Sequence, residues 1–216
     1  MLKSILNQFD EVRICLSRID EFHDDELPEI FSHPKIQISV INGQGQADLH
    51  KFKWIPDNED EYYFTLDDDI LYPDDYVNRT LAKMQEHRGC IITYHGRQLV
   101  GKDLPYYTGH KSHTFAQGQY QDIRIDVAGT GVCAFDTRYF RPIGLHQDNF
   151  VMMSDLGMSL YAAREGVKIM SCTKEYSWIR TIDVIDNRSI FELYKNKPTP
   201  DQNRIANEIY HLNHEA

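Results

Sequence analysis

The run Tyr62-Tyr63-Phe64-Thr65-Leu66 ends in Asp67-Asp68-Asp69, and Ile70-Leu71-Tyr72-Pro73 follows it. Its five aromatic, apolar and β-branched residues read as a buried strand by composition and length. Three adjacent carboxylates at the carboxyl end of a strand repel one another, so the arrangement is costly without a counter-cation. Carboxylate oxygens hold hard divalent cations such as Mg²⁺ and Mn²⁺. In open α/β sheets, ligands bind just beyond the carboxyl ends of strands. The run therefore predicts a metal site at a sheet edge with a phosphate-bearing ligand. The plain alternative is a solvated acidic turn whose carboxylates favour the N-terminus of the next helix.

The elements around this strand follow from periodicity. A short helix is expected within residues 1–10, with Leu2, Ile5, Leu6 and Phe9 on one face. Strands are expected over 12–16, 36–40, 90–94, 123–127, 132–135 and 167–170. Helices are expected over 74–87, 155–165 and from Thr199 onward, with a short one over 48–55. Residues 20–34 and 42–46 read as irregular, and 101–121 as a long loop of the kind that is often functional. Strands alternating with helices predict an α/β fold whose central sheet is mixed, mostly parallel and flanked by helices.

A chain of 216 residues fits a single domain able to bury its own core. Its net charge of −10 argues against general nucleic-acid binding, which needs a basic surface. One nucleotide held through a metal is still allowed. Cys15, Cys90, Cys133 and Cys172 stand singly in or beside apolar runs and read as reduced, buried thiols. No run is apolar for long enough to span a bilayer, and the first ten residues are too polar for a signal peptide. A cytoplasmic protein is expected.

The segment Phe64-Thr65-Leu66-Asp67-Asp68-Asp69-Ile70 resembles the acidic motif of nucleotide-sugar glycosyltransferases of the GT-A fold. The likeness is greatest to glycosyltransferase family 2 and related bacterial surface-polysaccharide enzymes. Other segments match in order. Asp48-Leu49-His50-Lys51-Phe52 resembles a polar donor-binding segment, and Gly129-Thr130-Gly131-Val132 resembles the small-residue turn beside the donor sugar. Ser154-Asp155 opens a helix where an inverting enzyme of this type places its base. Tyr176-Ser177-Trp178-Ile179 resembles an aromatic segment near the active site.

The likeness spans about residues 1–180. It implies one Rossmann-like GT-A domain over 1–216, without the usual first strand. Residues 1–95 would form the nucleotide-sugar side, 96–180 the acceptor side and 181–216 a C-terminal helical tail. The implied enzyme is inverting, uses Mn²⁺ or Mg²⁺, and moves a sugar from a nucleotide-diphosphate sugar to a hydroxyl of a glycan or lipid-linked acceptor. A UDP-sugar is the favoured donor, and peripheral membrane association fits such an acceptor.

On that resemblance Asp69 and Asp67 would hold the metal, and Asp67 and Asp68 would contact the donor. Asp48 would hold the nucleotide base, Lys51 the diphosphate and Gly129, Thr130 and Gly131 the sugar. Asp155 would be the catalytic base; its alternative is a helix N-cap. For Asp48 and Lys51 the alternative is an exposed helix face. His95 and Arg97 follow a strand end, where they reach donor or acceptor or else form a surface turn. Trp178 has a better case than Trp54 as a sugar platform, though such residues more often pack at a core or rim. His110-x-x-His113 has the spacing of a metal pair but no acidic or thiolate partner nearby in the loop expected there. Cys172 and Glu175 stand where a third protein ligand would otherwise be a histidine. Two other readings compete. Asp67-Asp68-Asp69-Ile70-Leu71 partly matches the Asp-x-Asp signature of haloacid-dehalogenase-type phosphatases, where the first Asp is a nucleophile and Leu71 would be Thr or Val. The third reading is a non-catalytic sugar- or nucleotide-binding module.

Overall fold

The aromatic run forms a strand, Tyr62–Leu66, as its composition predicts. The computed structural model describes residues 1–17, 28–41, 47–148, 150, 153–182 and 200–215. In chain order these form α1 (Leu2–Ile5), β1 (Val12–Ser17), β2 (Ile36–Ile41), β3 (Tyr62–Leu66), β4 (Ile70–Leu71), α2 (Tyr76–Glu86), β5 (Ile91–Thr93) and β6 (Gly96–Leu99). There follow β7 (His110–His113), β8 (Ile123–Ile125), β9 (Val127–Ala128), β10 (Val132–Asp136), α3 (Ser154–Arg164), β11 (Ile169–Ser171), β12 (Arg180–Thr181) and α4 (Pro200–His214). The expected loop at 42–46, part of the irregular stretch 20–34, and Thr199 lie outside the described residues.

The fold is α/β, and its central sheet is ordered β3-β10-β5-β11-β8. The expectation of a mostly parallel sheet needs correcting. Only β5 and β11 pair in parallel, whereas β10 runs antiparallel to both β3 and β5, and β8 runs antiparallel to β11. The physical reason lies in the connections. From β3 to β5 the chain crosses through α2, so these two strands point the same way. From β5 it then makes an excursion without a helix, pairing β6 with β7 and β9 in a small antiparallel sheet. It returns as β10 in the opposite sense and inserts between β3 and β5. All five residues of β10 are buried, and a strand buried throughout reads the same in either direction. Two smaller pairings complete the sheets: parallel β1–β2 and antiparallel β4–β12.

Two further readings change. Within 101–121, residues 110–113 form β7, a polar strand with no apolar alternation to announce it. The strand read over 123–127 breaks at Asp126, which is buried. Its Oδ2 accepts the Leu99 N–H at 2.8 Å and its Oδ1 accepts from Asn213 and His214.

Glycine ends α2 and α3 as expected: Gly89 (φ 78°) and Gly166 (φ 69°) adopt the left-handed conformation that stops a helix. On one face of the central sheet α2 packs Tyr76, Val77 and Met84 against Ile5, Ile92 and Tyr94. Leu156, Leu160 and Ala163 of α3 meet Ile205, Ala206 and Ile209 of α4. The short helix at the start is only Leu2–Ile5, and the one near Asp48 is a 3-10 helix over Ala47–Phe52. Among the described residues no helix is long and apolar enough to cross a membrane.

Ile209 is fully buried between α4 and α3. Ile209→Ala is expected to lower unfolding free energy by about 2–5 kcal/mol, the usual loss for such a truncation. Urea denaturation checks this; a loss well under 1 kcal/mol would mean α4 is not docked.

Candidate functional site

The carboxyl end of β3 brings Asp67 to the sheet edge, and the 3-10 helix lays Asp48 and Lys51 beside it. The Lys51 ammonium donates to Asp67 Oδ1 and lies 3.5 Å from Thr130 Oγ1. Thr130 sits in the turn ahead of β10. Its N–H and its hydroxyl each donate to Asp155 Oδ1 at 2.8 Å. Ser154, the first residue of α3, donates its N–H to Asp48 Oδ2 at 2.9 Å, and its hydroxyl lies 3.0 Å from Thr130 Oγ1. Asp48, Lys51, Asp67, Thr130 and Asp155 thus form one connected group drawn from four stretches of the chain.

Burial works against the Lys51 charge, but Asp67, Asp155 and Asp48 outweigh it and hold its pKa above the usual lysine value. One ammonium among three carboxylates leaves net negative charge. Asp48 feels its burial most, which pushes its carboxyl up against the opposing Ser154 N–H and Lys51. Its Oδ1 is buried without a hydrogen-bond partner among the described residues. Asp68 and Asp69 are exposed. Partial burial, then Asp67, then Asp68, raise the Asp69 carboxyl above its ordinary range.

The triad's turn is clamped from two sides. The Tyr72 hydroxyl accepts the Asp67 N–H at 2.8 Å and donates to Gly131 O at 2.6 Å. From the other side the Ile182 N–H donates to Asp69 O at 2.7 Å, next to the β4–β12 pair. Gly131 is required by space: a Cβ there would lie 2.1 Å from Asp67 Oδ2. A Cβ on Gly129 would meet the His95 ring at 2.5 Å.

His95 and Arg97 gather on the Asp155 side. Burial lowers the His95 pKa; Asp155 opposes this, and Arg97 and Lys174 reinforce it. Its ring lies 5.5 Å from that of Phe115. Arg97 sits 4.5 Å over the Tyr106 ring and hydrogen-bonds its hydroxyl. Burial lowers the Arg97 pKa too, again against Asp155.

The alternative for Asp155, a plain helix cap, is not what its side chain does. The N-cap position is Met153, without a side-chain cap, and the acid that bonds α3's first N–H is Asp48. Trp178 belongs elsewhere: its Nε1–H donates to Asp75 at 2.9 Å and Arg79 stacks over it at 4.1 Å, fastening it to α2. His110 and His113 are three apart on β7 and so face opposite sides, and His110 Nδ1–H already donates to Tyr106 O at 2.6 Å. The triad's setting also uses Tyr72, to which the sequence reading gave no role; its place three residues past the acids was the available signal. Two surface concavities, of about 400 and 290 Å³, open at the other end of β3, by Asp60 and Arg141 and by Tyr62 and Arg88. They contain none of the grouped residues, and the shallow acidic edge is the better functional candidate because its side chains converge.

A second group, His87, Asp122 and Cys172, brings possible ligand atoms within 4.8 Å of one another. Asp122 is already engaged by His87 (2.7 Å), Lys83 (2.9 Å) and the Thr173 N–H (2.7 Å). Burial pushes its carboxyl up, but these bonds outweigh that and hold it at about 2. A divalent cation there would have to displace Lys83, so the group reads as an ion-pair hub. No protein-family model matches the chain, and no curated protein matches it.

The hub makes a pH prediction. A depressed carboxylate contributes stability above its unfolded pKa of about 4 and loses it as pH falls toward the folded value of about 2. Asp122→Asn is therefore expected to cost roughly 1–3 kcal/mol at neutral pH. Its deficit against the parent should shrink between pH 4 and 2, measured by denaturant melts. A deficit independent of pH would mean that the charge is not what stabilises.

Proposed function

We propose that the chain is an inverting, metal-dependent glycosyltransferase of the GT-A type, similar to glycosyltransferase family 2. It takes a sugar from a nucleotide-diphosphate sugar, a UDP-sugar by preference, to a hydroxyl of a glycan or lipid-linked acceptor. The observation that carries this reading is the join between the triad and the helix carboxylate: Asp67 to Lys51, Lys51 to Thr130, Thr130 to Asp155.

When the donor's bond to its diphosphate breaks, negative charge builds on the departing oxygens. Asp69 and Asp67 would hold Mn²⁺ or Mg²⁺, Asp67 through the Oδ2 that its bond with Lys51 does not use; oxygen-only donors, and an Asp69 carboxyl raised by burial and by its acidic neighbours, suit a hard cation. That ion, when bound, supplies Lewis-acid stabilisation of the leaving group. Lys51 adds a fixed positive charge beside the same turn. Asp68, exposed at the rim, reaches the donor's polar groups. Gly129 and Gly131 keep the turn free of side chains where the sugar would lie. Both bonds from Thr130 fall on Asp155 Oδ1, which fixes the carboxylate and turns Oδ2 to the acceptor hydroxyl as general base. The parallel pair β1–β2, tied to the start of β3 by Arg13 through Trp54 O and Glu61, offers the edge for the nucleotide base.

The phosphatase reading is less well supported. Leu71 stands where its signature has Thr or Val, and Asp67, which would be its nucleophile, is paired with Lys51.

Calorimetry with UDP, GDP, CDP and dTDP, each with and without Mn²⁺, tests the proposal. One nucleotide should bind only with the metal, and Asp69→Ala should abolish that binding. Asp155→Asn should leave binding intact and reduce transfer by about 10²–10⁴-fold. Normal turnover by Asp155→Asn would sink the base assignment, a phosphoenzyme would favour the phosphatase, and metal-dependent binding without turnover would leave a binding module.

A further inference from the structure

Beyond β5 the chain brings together three buried side-chain nitrogens that have no hydrogen-bond partner among the described residues. Lys174 is 3% exposed, and its Nζ has no hydrogen-bond partner among the described residues. Burial lowers its pKa to about 8, with only the Cys172 thiol acting the other way. His113 is likewise buried, with Nε2 unpartnered, and the buried Nδ1 of His95 is unpartnered too. Buried polar groups are nearly always satisfied, so three such nitrogens in one region call for a partner.

The backbone brings them to one place. Lys174 and Gln119 exchange N–H···O bonds of 2.8 and 2.9 Å, which anchors the segment after β7 to the segment after β11. His113 is paired with Gly96, and the residues flanking Gly96 are His95 and Arg97. The His95 ring packs on Phe115, two residues beyond His113. Burial lowers the pKa of both imidazoles and the Lys174 charge adds to it, against Asp155 at His95 and the Gln119 side chain at His113.

Cationic and imidazole nitrogens that are buried together without acceptors fit a ligand with several acceptor oxygens and a negative charge. Position says which substrate would carry it. The Gly129 N–H donates to His95 O at 2.8 Å, and the next residue, Thr130, bonds Asp155 through its N–H and hydroxyl. At His95 the group therefore adjoins the proposed base.

We infer that Lys174, His113 and His95, with Arg97 near His95, form a subsite for an acidic group, carboxylate or phosphate, borne by the acceptor. The assignment to the acceptor rests on the glycosyltransferase reading; the anion site itself does not.

Glucuronate and glucose 6-phosphate serve as probes against glucose, titrated by saturation-transfer NMR with and without UDP and Mn²⁺. Both acids are expected to bind where glucose does not, and UDP with Mn²⁺ should not compete. Binding of only one acid also supports the subsite and names its anion. Lys174→Gln should weaken binding by about tenfold or more, the scale of one lost charge-assisted hydrogen bond. His113→Gln gives a second reading if Lys174→Gln fails to fold, and each variant's melting curve reports its folding. Equal binding of glucose, unchanged affinity in the folded variants, or competition by UDP would overturn the inference. If the acids fail to bind while UDP and Mn²⁺ bind, this inference alone falls. If the acids bind and no nucleotide does, the transferase reading falls and the anion site stands.

Discussion

Lys51 is a cation set among three carboxylates, and the site is arranged around that one charge. Asp48, Asp67 and Asp155 would repel one another if gathered without it, and removing one partner from such a partly buried set leaves uncompensated charge. The ammonium meets Asp67 directly and reaches Asp155 through Thr130, so it links the 3-10 helix, β3, the turn before β10 and the start of α3. Two bonds in the group also satisfy backbone donors: Thr130 gives Asp155 its N–H as well as its hydroxyl, and Asp48 takes the first N–H of α3. Backbone satisfaction and charge compensation are therefore met by the same few side chains, and the positions of those side chains are coupled.

The insertion of β10 makes this convergence possible. Asp67 follows β3 and Thr130 precedes β10, and because these strands are antiparallel neighbours, the end of one lies beside the beginning of the other. A parallel pairing would have sent the two ends to opposite edges of the sheet. The Tyr72 hydroxyl bridges the two ends, and the closeness of Gly131 to Asp67 leaves no room for a side chain. The sheet that departs from the expected parallel order is thus the one that can assemble the expected residues.

What was readable in the sequence follows from what sequence patterns encode. The run from Tyr62 to Asp69 was legible because composition changes abruptly there, and α2 and α3 because their apolar spacing and glycine stops are local properties. Strand direction was not legible, since Val132-Cys133-Ala134-Phe135-Asp136 is buried on both faces and carries no mark of its neighbours' sense. Strand β7, His110-Lys111-Ser112-His113, was hidden by its polarity: its backbone pairing with β6 forms it, not an apolar face. Asp48 was placed on the right segment, but its bond to α3 depends on a contact with Ser154, far along the chain. Lys174 gave no signal at all, because an isolated lysine reads as surface until the fold buries it.

The overall charge of −10 bears on how the two sides of the site divide their work. A strongly acidic surface repels an acidic acceptor at long range, though salt screens that repulsion beyond about 10 Å. Attraction then has to come from charges close to the bound group and shielded from water, where each is worth more than at the surface. Lys174 and Arg97 meet that condition, one buried outright and the other stacked on Tyr106 and largely withdrawn from solvent. On the proposed reading the triad edge would work the other way, its surplus of carboxylates drawing a cation and only through it a diphosphate. On that reading, opposite charges on either side of Asp155 would hold a donor and an acidic acceptor apart until both are seated, with the proposed base between them.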